Sequence, residues 1–221
     1  MKDAMTTPHL DYAICLRLEG RHVLLVGGGT IAEGRALAVL ASGARLRVIA
    51  PEVSPTLRRL SEEDRLEWRP RAYQTGDVQG HHLVLAAADD AAVGPQVAAE
   101  ARALGIWVNT ADEPALCDFT LPSVGRRGPI TIAVSTAGQA PALASHLREV
   151  LTAQVARHHV WRARLSGWLR EQLPRGRERQ RLLKDVATGG IGARLARGER
   201  KAAWALLREA LKPWKTSGET P

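Results

Sequence analysis

Only two cysteines stand in 221 residues, Cys15 and Cys117. They are too few and too scattered for a disulfide framework or a cysteine zinc site. Long apolar runs are missing as well, since no uninterrupted stretch approaches the roughly 20 residues that a membrane-spanning helix needs. The opening MKDAMTTPHLDY lacks the apolar core of a secretory signal. No internal repeat is visible. Histidines at metal-ligand spacing are lacking too. His146 stands alone, and His158 and His159 are adjacent, which sets them on different faces of a helix. A dedicated metal cage is therefore excluded, and the default expectation is a reduced, cytoplasmic protein with no membrane span. What remains is ordinary globular material, 45% hydrophobic and long enough for one substantial domain plus a smaller one.

Charge is in excess, but only at the rear. Residues 1–145 hold 14 Lys and Arg against 16 Asp and Glu, whereas residues 146–221 hold 17 against 7. The front thus reads as a near-neutral enzyme domain. The basic rear suits nucleic acid, an anionic membrane surface or a polyanionic small molecule, or is a solvated arginine-rich helical face. It carries no recognition-helix motif.

Along the first two-thirds, strand-like and helix-like segments alternate. Strands are expected at 12–18, 22–26, 45–50, 65–73 (an edge strand, because of Pro70), 82–88 and 107–111. Helices are expected over 30–42, stopping at Gly43, and over 91–104, ending near Gly105. This order predicts βαβ units, a parallel sheet and helices on both faces. Beyond Pro114 the pattern changes to a small sheet addition, with a turn region at Gly-Arg-Arg-Gly (125–128) and a β-branched strand at 130–136. A long helix is predicted over 141–159, opened by Pro141. Further helices follow on the spacings Trp161, Leu165, Trp168, Leu169 and Trp204, Leu207, Leu211, with a flexible stretch at 188–198 and a disordered tail at 215–221.

The chemistry-bearing residues cluster where these strands end. In VLLVGGGTIA the pattern G-x-G-x-x-A falls on Gly27, Gly29 and Ala32. Gly27 permits the tight turn, Gly29 lets a pyrophosphate approach the backbone, and Ala32 lets the helix pack on the strand. The helix start adds free N–H groups and a positive dipole end. Glu52, after Pro51, stands where an adenosine ribose would lie, or is a solvated loop acid; no arginine follows to hold a 2′-phosphate, which favours NAD over NADP. Small residues 86–88 allow a cofactor to approach Ala88, while Asp89 or Asp90 caps the next helix. After Asn109, Thr110 and Ala111 comes Asp112, a general base or proton shuttle, or simply part of a turn; Asp118 is a second carboxylate, with a structural role open. Ser135, Thr136 and Gly138 offer hydroxyls and helix-start amides to an anionic group, with helix capping by Thr136 or Gln139 as the alternative.

Taken together, the segments LRLEGRHVLLVGGGTIAEGRALAVLASGARLRVIAPE, LVLAAADD and VNTADEPALCDFTLPSVGRRGPITIAVSTAGQAPALASHLRE resemble the precorrin-2 dehydrogenase/sirohydrochlorin ferrochelatase family of siroheme biosynthesis. The resemblance is close over residues 10–160 and loose beyond. It implies NAD-dependent oxidation of precorrin-2 to sirohydrochlorin and, in some members, Fe²⁺ insertion to give siroheme. It further implies a homodimer in three parts: an NAD-binding Rossmann domain (1–114), a dimerisation region (115–145) and a basic helical domain (146–221). By the same resemblance Asp112 is the catalytic aspartate. The resemblance also puts Gly27, Gly29, Thr30, Ile31, Pro51 and Glu52 at the cofactor, and Ser135, Thr136 and Gly138 at the substrate; Ala88, Asp89 and Asn109, from their place at the strand ends, are expected at the cofactor as well. A carboxylate-rich tetrapyrrole would attract arginines, with Arg126, Arg127 and Arg148 as candidates. Two departures stand out. Gly34-Arg35 replaces the Arg-Lys of many members, and the methyltransferase domain fused to some members is not expected within 221 residues. Alternative readings are a non-catalytic NAD-sensing module whose basic tail binds nucleic acid, and a dehydrogenase of another small anion.

Overall fold

The computed structural model describes residues 11–215. Most of the tail expected to be disordered, 216–221, lies outside that range. Two compact units divide the chain, one ending at Leu121 and the other beginning at Pro122.

The first unit runs β1 (His22–Val26), α1 (Thr30–Leu40), β2 (Arg45–Ile49), α2 (Pro55–Glu62), β3 (Glu67–Arg69), β4 (Leu83–Ala86), α3 (Val93–Ala103) and β5 (Trp107–Thr110). All five strands are parallel, in the order β3-β2-β1-β4-β5. Strand residues alternate between faces. Val23, Leu25, Leu46, Val48, Leu83 and Leu85 meet Ala32, Ala36 and Val39 of α1 and Leu57 and Leu60 of α2. Leu24, Val26, Ile49, Val84, Ala86 and Val108 meet Val97, Ala98 and Ala101 of α3 on the other side. A sheet covered on both faces needs strands that are apolar throughout, which is why β1 reads VLLV without alternation. The strand order reverses between β1 and β4, and ligands of open α/β sheets bind at the carboxyl edge of such a switch. The α/β Rossmann-type architecture expected from the alternating segments is therefore present.

Two local expectations fail here. Residues 12–18 form no strand, and Tyr12, Ile14 and Leu16 are exposed. An alternating run becomes a strand only where a ladder partner accepts it, and the outer strands β3 and β5 leave it unpaired. Conversely, α2 has no counterpart among the helices expected from the sequence, although Ser54-Pro55 announces it. Ser54 Oγ accepts the Leu57 N–H at 3.3 Å, and Pro55 occupies the first turn, where a missing N–H costs nothing.

In the second unit, β6 (Ser123–Arg127) and β7 (Ile130–Val134) form an antiparallel hairpin, followed by α4 (Pro141–Ala153), α5 (Arg157–Gln172), α6 (Arg177–Thr188), α7 (Gly190–Ala196), α8 (Arg200–Ala210) and α9 (Lys212–Lys215). The Gly-Arg-Arg-Gly turn region is narrower than expected. Arg126 and Arg127 extend β6, and the loop is Gly128-Pro129, with Gly128 at φ 56°. The long helix predicted over 141–159 breaks into α4 and α5. Ala156 is extended (φ −75°, ψ 164°) and its N–H donates to His159 Nδ1 at 3.1 Å, so a side chain from the first turn of α5 restarts the helix. The stretch 188–198, expected to be flexible, contains α7. The Asp185 carboxylate accepts the Gly190 N–H at 2.6 Å, and a Cβ on Gly192 would lie 2.7 Å from the Val186 carbonyl oxygen. The glycines here serve close packing around Leu169, Val186, Ile191 and Leu207.

Candidate dinucleotide site at the carboxyl edge of the sheet

The glycine turn after β1 is shaped by what crosses it. Gly27 has φ 120°, and a Cβ there would sit 2.1 Å from the Ala87 carbonyl oxygen. At Gly28 a Cβ would meet the Glu52 carbonyl oxygen at 2.0 Å, so the loop after β2 crosses directly over the turn. Gly29 is the opposite case, with nothing within 4 Å of the Cβ position. The backbone is closed against the protein on one side and open on the other. Gly29 is also the N-cap of α1, and no side chain caps the helix start. Its first amides therefore have no side-chain competitor for an anion. Ala32 is fully buried, as its packing role requires. Gly28 stands at a variable position of the G-x-G-x-x-A pattern, so only the path of the crossing loop reveals its role.

Around this turn Thr30, Ile31, Pro51 and Glu52 are exposed. The Glu52 loop is fastened in two places. Ser54 N–H donates to Gly28 O at 2.9 Å, and Ser54 Oγ donates to Glu33 Oε2 in the first turn of α1. Ala88 is half-buried and Asp89 exposed beyond β4. Asp90 Oδ1 accepts the Ala92 N–H at 2.9 Å, closing the turn before α3.

Beyond β5 three carboxylates divide their roles. Asp118 pairs with Arg102 at 3.0 Å and accepts the Val108 N–H at 3.0 Å, a structural assignment. Glu113 lays Oε1 over Gly94 at the start of α3, 2.9 Å from where a Cβ would be. Asp112 is exposed, sits at φ 61° and has no hydrogen bond or ion pair among the described residues. Aspartate is one of the few residues that enter this left-handed region readily. Asn109 and Thr110 are buried (6% exposed each). Asn109 Nδ2 donates to Phe119 O at 2.8 Å, while Asn109 Oδ1 and Thr110 Oγ1 lack partners among the described residues. Arg35, noted in the sequence only as a departure, reaches this edge from α1 and donates to Ala86 O at 2.8 Å.

In the second unit the loop before α4 is strained in the left-handed region, at Ala137 (φ 49°) and Gly138 (φ 77°). Ser135 Oγ accepts the Ala137 N–H and Thr136 Oγ1 the Ala140 N–H, both at 3.1 Å, so both hydroxyls already serve the turn. Arg126 and Arg127 are neighbours on β6 and point to opposite faces of the hairpin. A Cβ on Gly125 would strike Thr152 Oγ1 at 2.0 Å, so α4 covers the face that Gly125 shares with Arg127. Arg148, also on α4, is bound to Ser123, Ser145 and Glu149. His158 and His159 do meet, contrary to the expectation for adjacent helical residues. Their Nε2 atoms are 3.1 Å apart because His159 is turned back to hold Ala156. Among the described residues no three side chains gather as a metal site.

A parallel sheet whose first strand ends in a glycine turn, open to the outside and leading into an uncapped helix, defines a dinucleotide-binding Rossmann protein. Two family models match the chain: one for putative NAD(P)-binding over residues 14–123, and one for the central part of sirohaem biosynthesis proteins over residues 127–154. The chain belongs to the precorrin-2 dehydrogenase/sirohydrochlorin ferrochelatase family of siroheme biosynthesis. It is 38% identical to a siroheme synthase of Pseudomonas paraeruginosa over 198 residues, 88% of this chain and 43% of that one. With a siroheme synthase of Photorhabdus laumondii it shares 35% identity over 215 residues, 95% and 46% of the two chains. It spans less than half the length of these relatives. Among solved structures, SirC, a precorrin-2 dehydrogenase, superposes with a TM-score of 0.74 at 25% identity, covering 91% of this chain and all of the other.

Proposed function

We propose that this protein oxidises precorrin-2 to sirohydrochlorin with NAD, and that Asp112 is the base. The observation that carries the reading is Asp112 itself: of the three carboxylates after β5 it is the one that is exposed without a hydrogen bond or ion pair among the described residues, and the one held in the left-handed region at the carboxyl edge of the sheet. Left-handed geometry in a residue other than glycine concentrates at functional sites. The residues present fit the cofactor. Gly29 offers open backbone, the α1 amides are uncapped, and Glu52 stands beside the turn for a ribose hydroxyl.

When bound, NAD supplies the hydride acceptor. The chain's own work is to hold the pyrophosphate at Gly29, Thr30 and Ile31, to hold the ribose at Pro51 and Glu52, and to face the nicotinamide end with Ala88, Asp89 and Asn109. Asp112 takes the proton that leaves the macrocycle as its hydride departs, and an unpaired carboxylate is free to do so. Carboxylates of the tetrapyrrole would be met by Ser135, Thr136, Gly138, Arg126, Arg127 and Arg148. Arg126 is the most readily available of the three arginines, being exposed on the hairpin face away from α4. Iron insertion, which the resemblance implies for some members, would take Fe²⁺ as substrate, with the macrocycle supplying four nitrogens and releasing two N–H protons.

We also propose a cytoplasmic homodimer that uses the region 115–145. In support, β6–β7 is a two-stranded sheet with both edges unpaired among the described residues, and Val124 is 42% exposed on its open face. No helix among the described residues is long and apolar enough to cross a membrane.

Asp112→Asn tests the reaction. It should fold, bind NAD with unchanged affinity and lose at least about a hundredfold in turnover of precorrin-2. Near-normal turnover would remove Asp112 from the mechanism, and absence of sirohydrochlorin formation by the folded wild-type protein would remove the reaction.

A further inference from the structure

Arg35 is a half-buried cation without a carboxylate. It lies on α1 next to Ala36, with Ala32 and Val39 on the same buried side. Its Nη1 donates to Ala86 O, the last carbonyl of β4, at 2.8 Å and approaches Asn109 O of β5 at 3.4 Å. Ala86 O accepts a second hydrogen bond, from the Ala111 N–H at 2.8 Å. One carbonyl therefore receives both the guanidinium and the amide of the residue immediately before Asp112. Burial lowers the arginine pKa, against the opposing influence of the neighbouring Cys117 and then Asp112. The guanidinium stays charged regardless. Hydrogen bonds from a charged donor are about twice as strong as neutral ones. The other contacts of this segment are neutral: Cys117 Sγ donates to Thr110 O at 3.2 Å, and Asn109 Nδ2 donates to Phe119 O.

We propose that Arg35 is a positioning residue for Asp112: by joining the ends of β4 and β5 it pins residues 109–111 and so fixes the place and direction of the Asp112 carboxylate. The proposal rests on the reading of Asp112 as the base. It explains why an unpaired cation stands among main-chain carbonyls at this edge rather than at the surface. It also explains how an exposed aspartate with no hydrogen bond of its own keeps a left-handed backbone. The restraint is applied one residue earlier, through Ala111.

The test uses the full chain carrying Cys15→Ser, which removes an exposed thiol outside the site and leaves Cys117 as reporter. Three variants are compared in this background. Arg35→Met keeps the stem, Arg35→Gln keeps a neutral donor and stands in if the first fails to fold, and Arg35→Lys keeps the charge. With either neutral variant, Cys117 should react about tenfold faster with a thiol reagent, and kcat for precorrin-2 should fall about tenfold or more, with KM for NAD within about threefold. Arg35→Lys should restore most of both. Unchanged Cys117 reactivity overturns the pinning. A loss carried wholly by KM for NAD makes Arg35 a cofactor contact instead, and an unchanged kcat overturns its link to Asp112. If the parent protein oxidises no precorrin-2, the proposed reaction and the link to Asp112 fail together, while the thiol rates still decide whether Arg35 pins the segment.

Discussion

Gly28 and Gly29 are adjacent and chemically identical, yet their surroundings assign them opposite duties. At Gly28 an added methyl overlaps the Glu52 carbonyl, and a backbone atom cannot be moved cheaply. Gly28→Ala should destabilise the protein by about 1–3 kcal/mol and displace the ribose loop. Gly29→Ala meets empty space at φ −78°, which any residue adopts. Its stability should stay within about 1 kcal/mol of wild type while affinity for NADH falls about tenfold or more, because the methyl occupies the approach of the pyrophosphate. Urea denaturation and NADH fluorescence titration separate the two. Equal effects on stability would show that the two glycines are not divided as the geometry requires. The spacing of glycines is legible in the sequence; the division of labour is not, because it depends on a loop 24 residues further along the chain.

At the scale of an element, Ser54 links two helices to one loop. Its hydroxyl accepts the Leu57 N–H to cap α2 and donates to Glu33 of α1, while its amide holds Gly28. Ser54→Ala should cost about 1 kcal/mol as an N-cap loss, read from the urea midpoint, and should weaken NAD binding by loosening the Glu52 loop. Ser54→Asp keeps a cap but sets a second carboxylate against Glu33, so it should not restore the wild-type midpoint. A midpoint unchanged by Ser54→Ala would deny the cap any weight. Elements announced by caps and breakers, such as the end of α1 near Gly43 and β3 stopped at Pro70, are readable from composition. The break between α4 and α5 is not, because it depends on His159 turning its ring back to the Ala156 amide rather than on any proline or glycine.

For the molecule as a whole, two bulk variables report on the fold and its chemistry. His81 is buried at the amino end of β4, with Nδ1 at 3.3 Å from Val78 O, the His22 ring edge-on and Arg47 nearby. Burial, then the positive Arg47 and the neighbouring His22, hold its pKa below the ordinary histidine value despite the Val78 carbonyl. The folded protein thus keeps it neutral where the unfolded chain binds a proton. Stability is full above about pH 6.5 and is lost as pH falls from there through the lowered folded pKa. The urea midpoint should drop between about pH 7.5 and 5.5, and His81→Phe should flatten that slope. Salt is the second variable. With 17 basic residues against 7 acidic ones in 146–221, KM for the many-carboxylate substrate should rise with ionic strength while KM for NAD changes little. A salt-independent KM for the tetrapyrrole would leave the basic helices as a solvated face.

By itself the sequence determined the layered α/β architecture, the glycine turn and the family. Continuous apolar strands can be satisfied only between two layers of helix, and a G-x-G-x-x-A turn needs no distant partner to be recognised. Tertiary structure decided what depends on partners far apart in the chain. Residues 12–18 stay unpaired because no strand among the described residues lies beside them, and α7 packs closely because Gly192 leaves room for the Val186 carbonyl. Asp112 stands exposed on a left-handed backbone while Asp118 is paired with Arg102, and Arg35 reaches the strand ends that precede it. Spacing along a chain encodes local geometry and periodic burial. It does not encode which carbonyl a side chain from another element will reach, and in this protein such a contact ties the helix after the glycine turn to the ends of β4 and β5.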